Sequence, residues 1–251
     1  MKKLISFFFL WSLFSFSQNF PEYFKDSIIY YNNFETKINP FNIKEKLKKE
    51  HIVENGFSGK SYLSEARWRD GVILISDKLS PHNSLSISVW WALKEKHKEG
   101  SSFEILSLKG KGYISVFTRG GGKDTWCALK KPAGVLQVYN FPGIRNINGI
   151  YKVDIGSVLN LGKNQWNNTI ITFTAGKNIK LYHNGNLFAE YNLSGRSFKK
   201  EDKINSLSFG YGGMEKIYLD EILILKRVLN EEEIKEYYNM IEGLKETGVL
   251  K

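Results

Sequence analysis

The segment YLDEILILKRVLNEEEIKEYY, from Tyr218 to Tyr238, joins a strand pattern directly to a helix pattern. Its first part, Tyr218–Leu225, is apolar and β-branched, which favours a β-strand. In such a strand Ile222 and Ile224 would face one side of the sheet and the leucines that alternate with them the other side. Both sides are then apolar, so we predict a central strand that is covered on both faces.

The second part of the segment predicts a helix at Asn230–Ile241. Asn230 is a favourable N-cap residue, and Glu233 follows three positions later, as in a capping box. Glu231 and Glu232 place negative charge at the positive end of the helix dipole. One other segment, Asn42–Glu50, is interpreted as a possible helical turn, although it is basic and poorly amphipathic.

Strand patterns separated by turn residues dominate the rest of the chain. Leu85–Leu93 alternates between apolar residues on one face and a second face made of Ser86, Ser88, Trp90 and Ala92. Asn184-Gly185 predicts a type I′ hairpin turn, which needs positive φ at both positions. Many short strands of this kind indicate a sandwich or a barrel. Further strands are predicted at Ser27–Phe34, Phe103–Leu108, Tyr113–Thr118, Leu136–Phe141, Thr169–Thr174, Ile179–His183, Leu187–Tyr191 and Leu207–Phe209.

Five motifs, in order along the chain, resemble those of the laminin G-like jelly rolls of the concanavalin A-like superfamily. They are Leu85-Ser-Ile-Ser-Val-Trp90, Gln165-Trp-Asn-Asn-Thr-Ile-Ile-Thr-Phe173, Lys180-Leu-Tyr-His-Asn-Gly185, Leu207-Ser-Phe-Gly210 and the opening segment at Tyr218. The resemblance implies an all-β, two-sheet antiparallel jelly-roll sandwich from about Ser27 to Leu225. It also implies that the last long strand pairs beside the first and that a short C-terminal helix closes one end of the sandwich.

The N-terminal residues predict export. Lys2 and Lys3 precede the apolar run Leu4–Phe16, and the small residues Ser15 and Ser17 follow the pattern of a secretory signal peptide. We expect residues 1–17 to be the signal peptide and residues 18–251 to form one jelly-roll domain, with its core at about 27–241. The expected destination is the periplasm or the extracellular medium. No transmembrane segment is predicted in the mature chain.

Positive charge is concentrated in the middle of the chain. The whole sequence has a formal net charge of +10, and loss of Lys2 and Lys3 with the signal would leave +8. Residues 105–189 contain eleven Lys and Arg against two Asp, a net charge of +9. Such segregated charge can attract anionic partners. The alternative is a lysine-rich surface that serves only solubility.

Catalytic patterns are missing from the sequence. Retaining glycosidases of this superfamily carry E-x-D-x-x-E on one strand, and no Glu here is followed two residues later by Asp. The Tyr-x-Lys-x-Gly pattern of the lyase members is also missing. The four histidines stand at no metal or triad spacing, and His183 is interpreted as a structural side chain beside a hairpin. We therefore expect a protein without enzymatic activity.

The resemblance implies one structural Ca²⁺ ion where the last strand meets the first. Asp220 stands at the matching position, and Glu35 with the carbonyl of Gly59 would be its companions. Ca²⁺ prefers six to eight oxygen ligands. The alternative is that Asp220 pairs with a lysine or caps a turn.

Aromatic and basic residues suggest a ligand-binding face. Trp90 would project outward from Leu85–Leu93 beside serines, where a flat indole could stack on a sugar ring. Trp126, with Arg119 and Lys130 near it, would suit a uronic or sulfated sugar, because Arg can bind an acid group with two hydrogen bonds. The alternative is that helix Asn230–Ile241 covers Trp90.

Three functional hypotheses follow from these observations. The first is a secreted, non-catalytic carbohydrate-binding or adhesion module, with an anionic polysaccharide or cell-surface glycan as partner and no nucleic acid. The second is a polysaccharide-cleaving enzyme, a glycosidase or lyase, with an unrecognised site. The third is a protein–protein adhesion domain without affinity for glycans. Fold alone does not decide among them.

Overall fold

The structure is a computed structural model that describes residues 20–57, 59–65, 70–76, 79, 84–97, 101–110, 113–119, 133–139, 153–154, 162–192, 204–211, 213 and 215–246. The predicted signal peptide lies outside these residues, as do Trp126 and Lys130. In the described part of the chain, no helix has the length and apolar character needed to cross a membrane.

Strands account for most of the described elements, with a short helix α1 (Glu22–Lys25), a 3₁₀ turn (Lys49–His51) and a longer helix α2 (Glu231–Glu246). The strands are β1 (Ile28–Asn32), β2 (Lys37–Ile38), β3 (Lys44–Lys46), β4 (Ile52–Val53), β5 (Ser61–Ser64), β6 (Val72–Ile75), β7 (Leu85–Leu93), β8 (Ser102–Gly110), β9 (Tyr113–Arg119), β10 (Ala133–Tyr139), β11 (Val153–Asp154), β12 (Trp166–Thr174), β13 (Asn178–His183), β14 (Asn186–Asn192), β15 (Ile204–Phe209) and β16 (Ile217–Leu225).

These strands form two antiparallel sheets. Sheet A has the order β14-β13-β12-β7-β16-β1-β2, with β5 also paired to β16 and β4 to β5. Sheet B has the order β11-β10-β9-β8-β15-β6-β3. The last strand, β16, lies between β7 and the first strand, β1. The predicted jelly-roll architecture and the pairing of the last strand beside the first are confirmed.

The main hydrophobic core fills the space between the sheets. The apolar face of β7 points into it, including Trp91, and so do Ile222 and Ile224 of β16. Sheet B contributes the apolar residues that alternate along β8, β9 and β15, such as Leu108 and Phe209. The alternation predicted for Leu85–Leu93 is therefore confirmed.

A second hydrophobic core lies on the outer face of sheet A. Leu223 and Leu225 of β16 point into it, and Ile234 and Tyr237 of α2 pack against them, so β16 is covered on both faces as predicted. The helix thus lies across the outer face of the sheet rather than closing one end of the sandwich, as the sequence had implied. The apolar side chains of the helix, Ile234, Tyr237 and Ile241, are spread along its length, and the sheet face buries all three.

Two local predictions have different outcomes. Asn184 and Gly185 both have positive φ, of 47° and 74°, and join β13 to β14, which confirms the hairpin turn. The helical turn predicted at Asn42–Glu50 is found only at its end, as the 3₁₀ turn Lys49–His51, because Lys44–Lys46 instead pairs as an edge strand with β6. Ile43 is buried in the main core just before this strand and fixes the chain against sheet B.

The N-cap of α2 predicts a measurable effect on stability. The Asn230 side chain accepts a hydrogen bond from the Glu233 amide, and the Glu233 carboxylate accepts one from the Asn230 amide, both 2.9 Å long. Asn230→Ala should reduce the free energy of unfolding by about 1 kcal/mol, because one amide loses its cap. Urea denaturation measures this, with the exposed helical variant Asn239→Ala as control. An Asn230→Ala protein as stable as the control would contradict the observed cap.

Candidate functional site

Trp90 is a core residue. It is 1% exposed, and its ring stacks on Phe57 at 4.2 Å between centroids and on Tyr238 of α2 at 5.5 Å with a 7° interplanar angle. The expectation of an outward-facing indole is therefore wrong, and the alternative that the C-terminal helix covers it is confirmed. No face of the ring is left for a sugar to stack on.

The other predicted ligand residues are only partly described. Arg119 is the last residue of β9, where its backbone pairs with Ser102 of β8 and Ala133 of β10. Trp126 and Lys130 lie outside the described residues. A role for these three residues in ligand binding stays a prediction.

Asp220 connects the last strand to the loop before β5. It is fully buried, and its carboxylate accepts hydrogen bonds from the amides of Phe57, at 2.9 Å, and Glu221, at 2.8 Å. The first bond spans a long stretch of sequence and brings the Phe57 ring onto Trp90. Of the sequence-based alternatives, the role of capping a turn matches these bonds.

The two predicted companions of Asp220 are also engaged by backbone amides. The Glu35 carboxylate accepts a hydrogen bond from the Lys60 amide. The Gly59 carbonyl accepts one from Gly56 at 2.7 Å. Gly59 has a φ of +138°, and a Cβ there would lie 2.5 Å from Glu35 Oε1, so a side chain at this position would be strained and would displace the Glu35 carboxylate. Glu35 and Gly59 are therefore neighbours.

The oxygen atoms of Asp220, Glu35 and the Gly59 carbonyl can be compared with the ligands that Ca²⁺ prefers. These oxygens are hard donors of the right type, but each predicted ligand already accepts an amide hydrogen bond. Among the residues that the structure describes, no three His, Cys, Asp or Glu side chains converge to hold a metal ion. The arrangement fits a hydrogen-bonded loop anchor, and calcium binding stays a prediction.

A different polar cluster lies on the outer face of sheet B. Ser107 of β8 pairs with Ser115 of β9 on one side and with Ser208 of β15 on the other. Alternation places these serines opposite the apolar residues of the same strands, which fill the main core. The three hydroxyl-bearing residues thus form a row across the middle of the sheet.

Glu104 lies beside this row, on the middle strand β8. Its carboxylate accepts hydrogen bonds from Ser115 Oγ at 3.2 Å and Ser208 Oγ at 3.4 Å. Lys109 lies across the cluster, with its Nζ 4.0 Å from Glu104 Oε1 and 3.8 Å from the centre of the Tyr211 ring. A carboxylate, hydroxyls, an ammonium group and an aromatic ring are therefore within reach of one another on this face.

The Glu104 carboxyl is held in an unfavourable environment. Burial raises its pKa, against the opposing effects of Lys109 and the serine hydroxyls. An acid with a raised pKa in the folded state stabilises the fold only below its unfolded pKa, and this contribution is lost as the pH rises through the folded pKa. The ionised form of Glu104 is therefore disfavoured in the folded protein relative to the unfolded chain.

The sequence model described as the concanavalin A-like lectin/glucanases superfamily, a laminin G model, matches residues 69–235, more than half of the chain. The protein belongs to this superfamily. No curated protein matches the chain.

Solved structures with the same fold include binding domains of toxins. The binding domain of Paraclostridial Mosquitocidal Protein 1 has a TM-score of 0.58 and 19% identity over 86% of this chain and 52% of its own. The receptor binding domain of botulinum neurotoxin D has a TM-score of 0.60 and 16% identity over 85% and 52%. The concanavalin A-like chain thus spans about half the length of these structures, and the likeness shows the fold alone.

One described cluster of this concanavalin A-like protein superficially resembles a catalytic triad. His97 Nδ1 lies 2.9 Å from Glu215 Oε2, and Ser101 Oγ donates to Glu215 Oε1 at 2.5 Å. In a triad the serine faces the other ring nitrogen. Here His97 Nε2 is buried and has no hydrogen-bond partner among the described residues.

For His183, burial lowers the pKa to about 4, so its ring is neutral, in agreement with a structural role.

The burial of Trp90 predicts a stability effect rather than a binding effect. Trp90→Ala should cost about 3–5 kcal/mol of unfolding free energy, since it removes the ring packed between Phe57 and Tyr238. Trp90→Phe should retain most of the packing and therefore most of the stability. Thermal melting of both variants measures this. A Trp90→Ala protein as stable as wild type would contradict the core assignment.

The Asp220 anchor predicts a calcium-independent loss of stability. Asp220→Asn should reduce the unfolding free energy by about 1–3 kcal/mol, because one of two buried amides loses its acceptor. The loss should be the same in EDTA and in excess Ca²⁺, with the exposed Asp26→Asn as control. A wild-type melting temperature that rises with Ca²⁺, together with an Asp220→Asn protein that does not respond, would instead establish the calcium site.

Proposed function

We propose that the protein is a secreted, non-catalytic module that binds carbohydrate through the outer face of sheet B. The observation that carries this proposal is the contrast between the two sheets. Helix α2 and the segment around Phe24 seal the outer face of sheet A with apolar side chains. In the described part of the chain, the outer face of sheet B instead carries the partly exposed side chains of Glu104, Lys109 and Tyr211 above three buried serines.

The partly exposed groups of this cluster, Glu104, Lys109 and Tyr211, suit a polyhydroxylated ligand. A carboxylate accepts hydrogen bonds from sugar hydroxyls, and an ammonium group donates them. The Tyr211 ring offers an apolar surface with a polar edge. Ligand sites in proteins typically combine such surfaces with a few placed polar groups. The three serines are buried, so they would order the Glu104 carboxylate rather than contact the ligand.

Charge favours an anionic polysaccharide over a neutral one. Lys109 belongs to the basic stretch of residues 105–189, and its Nζ, which lies 4.0 Å from Glu104 Oε1, would bind a uronic or sulfate group. The positive field of this stretch would raise the rate of encounter with a polyanion and would be screened by salt. Arg119, at the end of β9, would extend the same basic region.

The similar solved structures support a recognition role by analogy of fold. Their titles describe a binding domain and a receptor binding domain of toxins. Analogy of fold is a weak guide to function, because one fold supports many sites. Together with the predicted signal peptide, the analogy with these binding domains favours a partner outside the cell, either a free polysaccharide or a glycan on a cell surface.

A second candidate function, polysaccharide cleavage, is favoured by one observation. A carboxyl with a raised pKa, such as Glu104, is suited to act as a general acid. Hydrolysis by the two-carboxylate mechanism needs a partner carboxylate. The groups recorded around Glu104 in the described residues are serines and Lys109. Release of reducing ends or unsaturated products from a polysaccharide, lost in Glu104→Gln, would establish this candidate.

Lys109 provides the test of the binding proposal. Lys109→Ala should reduce the affinity for alginate or heparin oligosaccharides about 10- to 100-fold, because a charge-assisted hydrogen bond contributes about 1.5–3 kcal/mol. The matched control is Lys235→Ala, an exposed helical lysine with the same change of net charge. Isothermal titration at two salt concentrations measures both.

Three outcomes would contradict the proposal. The first is equal affinity of Lys109→Ala and Lys235→Ala. The second is binding by wild type that does not weaken as salt rises. The third is the absence of binding to any anionic oligosaccharide at millimolar concentration. Melting curves establish first that each variant is folded.

A further inference from the structure

The surroundings of Glu104 on the outer face of sheet B can accommodate its carboxyl both with and without a proton. The side chain is 20% exposed, against 40% for Lys109, so it is in contact with solvent and can exchange a proton. In the ionised state the carboxylate accepts hydrogen bonds from Ser115 Oγ and Ser208 Oγ. A hydroxyl can also accept a hydrogen bond, so either serine can rotate to receive one from the neutral acid.

Ser107 provides a further acceptor for the protonated acid. Its hydroxyl stabilises the Glu104 carboxylate from a position outside the geometry of a full hydrogen bond. It is buried and has no other partner for this hydroxyl in the described part of the chain. Buried hydroxyls usually have a partner. Protonation of Glu104 places a donor beside this hydroxyl, so the neutral acid is as well accommodated as the carboxylate.

Lys109 is held in position by two neighbours. Its Nζ lies 4.0 Å from Glu104 Oε1 and 3.8 Å from the centre of the Tyr211 ring. While Glu104 is ionised, its charge offsets that of Lys109 and repels an approaching anion. Once Glu104 is protonated, the positive charge of Lys109 is no longer offset, and the Tyr211 ring still attracts the ammonium group. The lysine then presents its charge to solvent without losing its position.

Among the described residues that pack around Glu104, no other group changes charge over the same pH range. Only carboxyl and histidine side chains normally titrate between about pH 4 and pH 7. Strand β15 contains no titratable residue, and β9 contains Tyr113 and Arg119 at its two ends. On β8 itself the titratable residues are Glu104 and Lys109. The charge of this cluster between those pH values therefore depends on Glu104.

The change of charge occurs in a mildly acidic range. Burial raises the pKa of the Glu104 carboxyl above its ordinary value of 4.5, while Lys109 and the serine hydroxyls act in the opposite direction. In the folded protein the carboxyl is therefore at least half protonated at pH 4.5 and loses its proton as the pH rises further. The cluster is thus more positive in an acidic medium than at neutral pH.

We propose that Glu104 is a proton-controlled gate on Lys109, so that this face binds polyanions more tightly as the medium becomes acidic. The proposal rests on the function proposed above, because it concerns the regulation of the same site. In the ionised state Glu104 engages Lys109 and repels the ligand, and in the protonated state it does neither. By linkage, a bound anion must favour protonation of Glu104 by the same factor as protonation favours the anion.

Titration of a dextran sulfate oligosaccharide into the full chain from about pH 4.5 to pH 8 tests the gate, because sulfate esters stay ionised throughout while Glu104 does not. Wild-type affinity should rise about five- to tenfold from the highest to the lowest pH, a modest coupling between two ligands. Glu104→Gln imitates the neutral acid, so it should bind at high pH about as tightly as wild type does at low pH. The matched control is Glu232→Gln, the same change at an exposed position of α2, which should keep the wild-type pH dependence. Melting curves at each pH establish first that every variant is folded.

Carbon NMR of the Glu104 carboxyl follows the same coupling in the wild-type protein. Its signal is assigned by its absence in Glu104→Gln, and its titration midpoint should move to higher pH when the probe is added. The gate is overturned if wild type and Glu104→Gln respond equally to pH, or if the probe binds and leaves the midpoint unchanged. If Lys109→Ala also loses affinity in that case, the binding function stands and only the gate is removed. If neither wild type nor Glu104→Gln binds the probe at any pH, the gate and the proposed function are both overturned.

Discussion

The double coverage of strand β16 is the constraint on which the rest of the structure depends. Ile222 and Ile224 point into the core between the sheets, while Leu223 and Leu225 point to the opposite face. A strand with apolar side chains on both faces loses hydrophobic stabilisation unless both faces are buried. The sandwich covers one face, and α2, which follows the strand after a connection of a few residues, covers the other. The direct join of strand to helix in the sequence therefore reflects a packing requirement.

This requirement also determines what the outer face of sheet A can do. The apolar residues that hold α2 on this face, Trp90 among them, are buried and so are not available to a ligand. Across the sandwich, the polar side of sheet B carries Glu104, whose pKa is raised by burial, so that its ionised form is disfavoured in the folded protein. Lys109 and the neighbouring serine hydroxyls oppose this shift because they stabilise the carboxylate.

Much of the fold could be predicted because the deciding signals are local. The alternation of Leu85–Leu93, the Asn184-Gly185 turn and the Asn230 cap each depend on neighbouring residues, and each is found in the structure. The site was harder to predict because its contacts join distant parts of the chain. Alternation placed Trp90 on the outer face of its strand but could not show that Tyr238 and Phe57 cover it. Glu104 meets its serine partners only through strand pairing, so no short motif marks it.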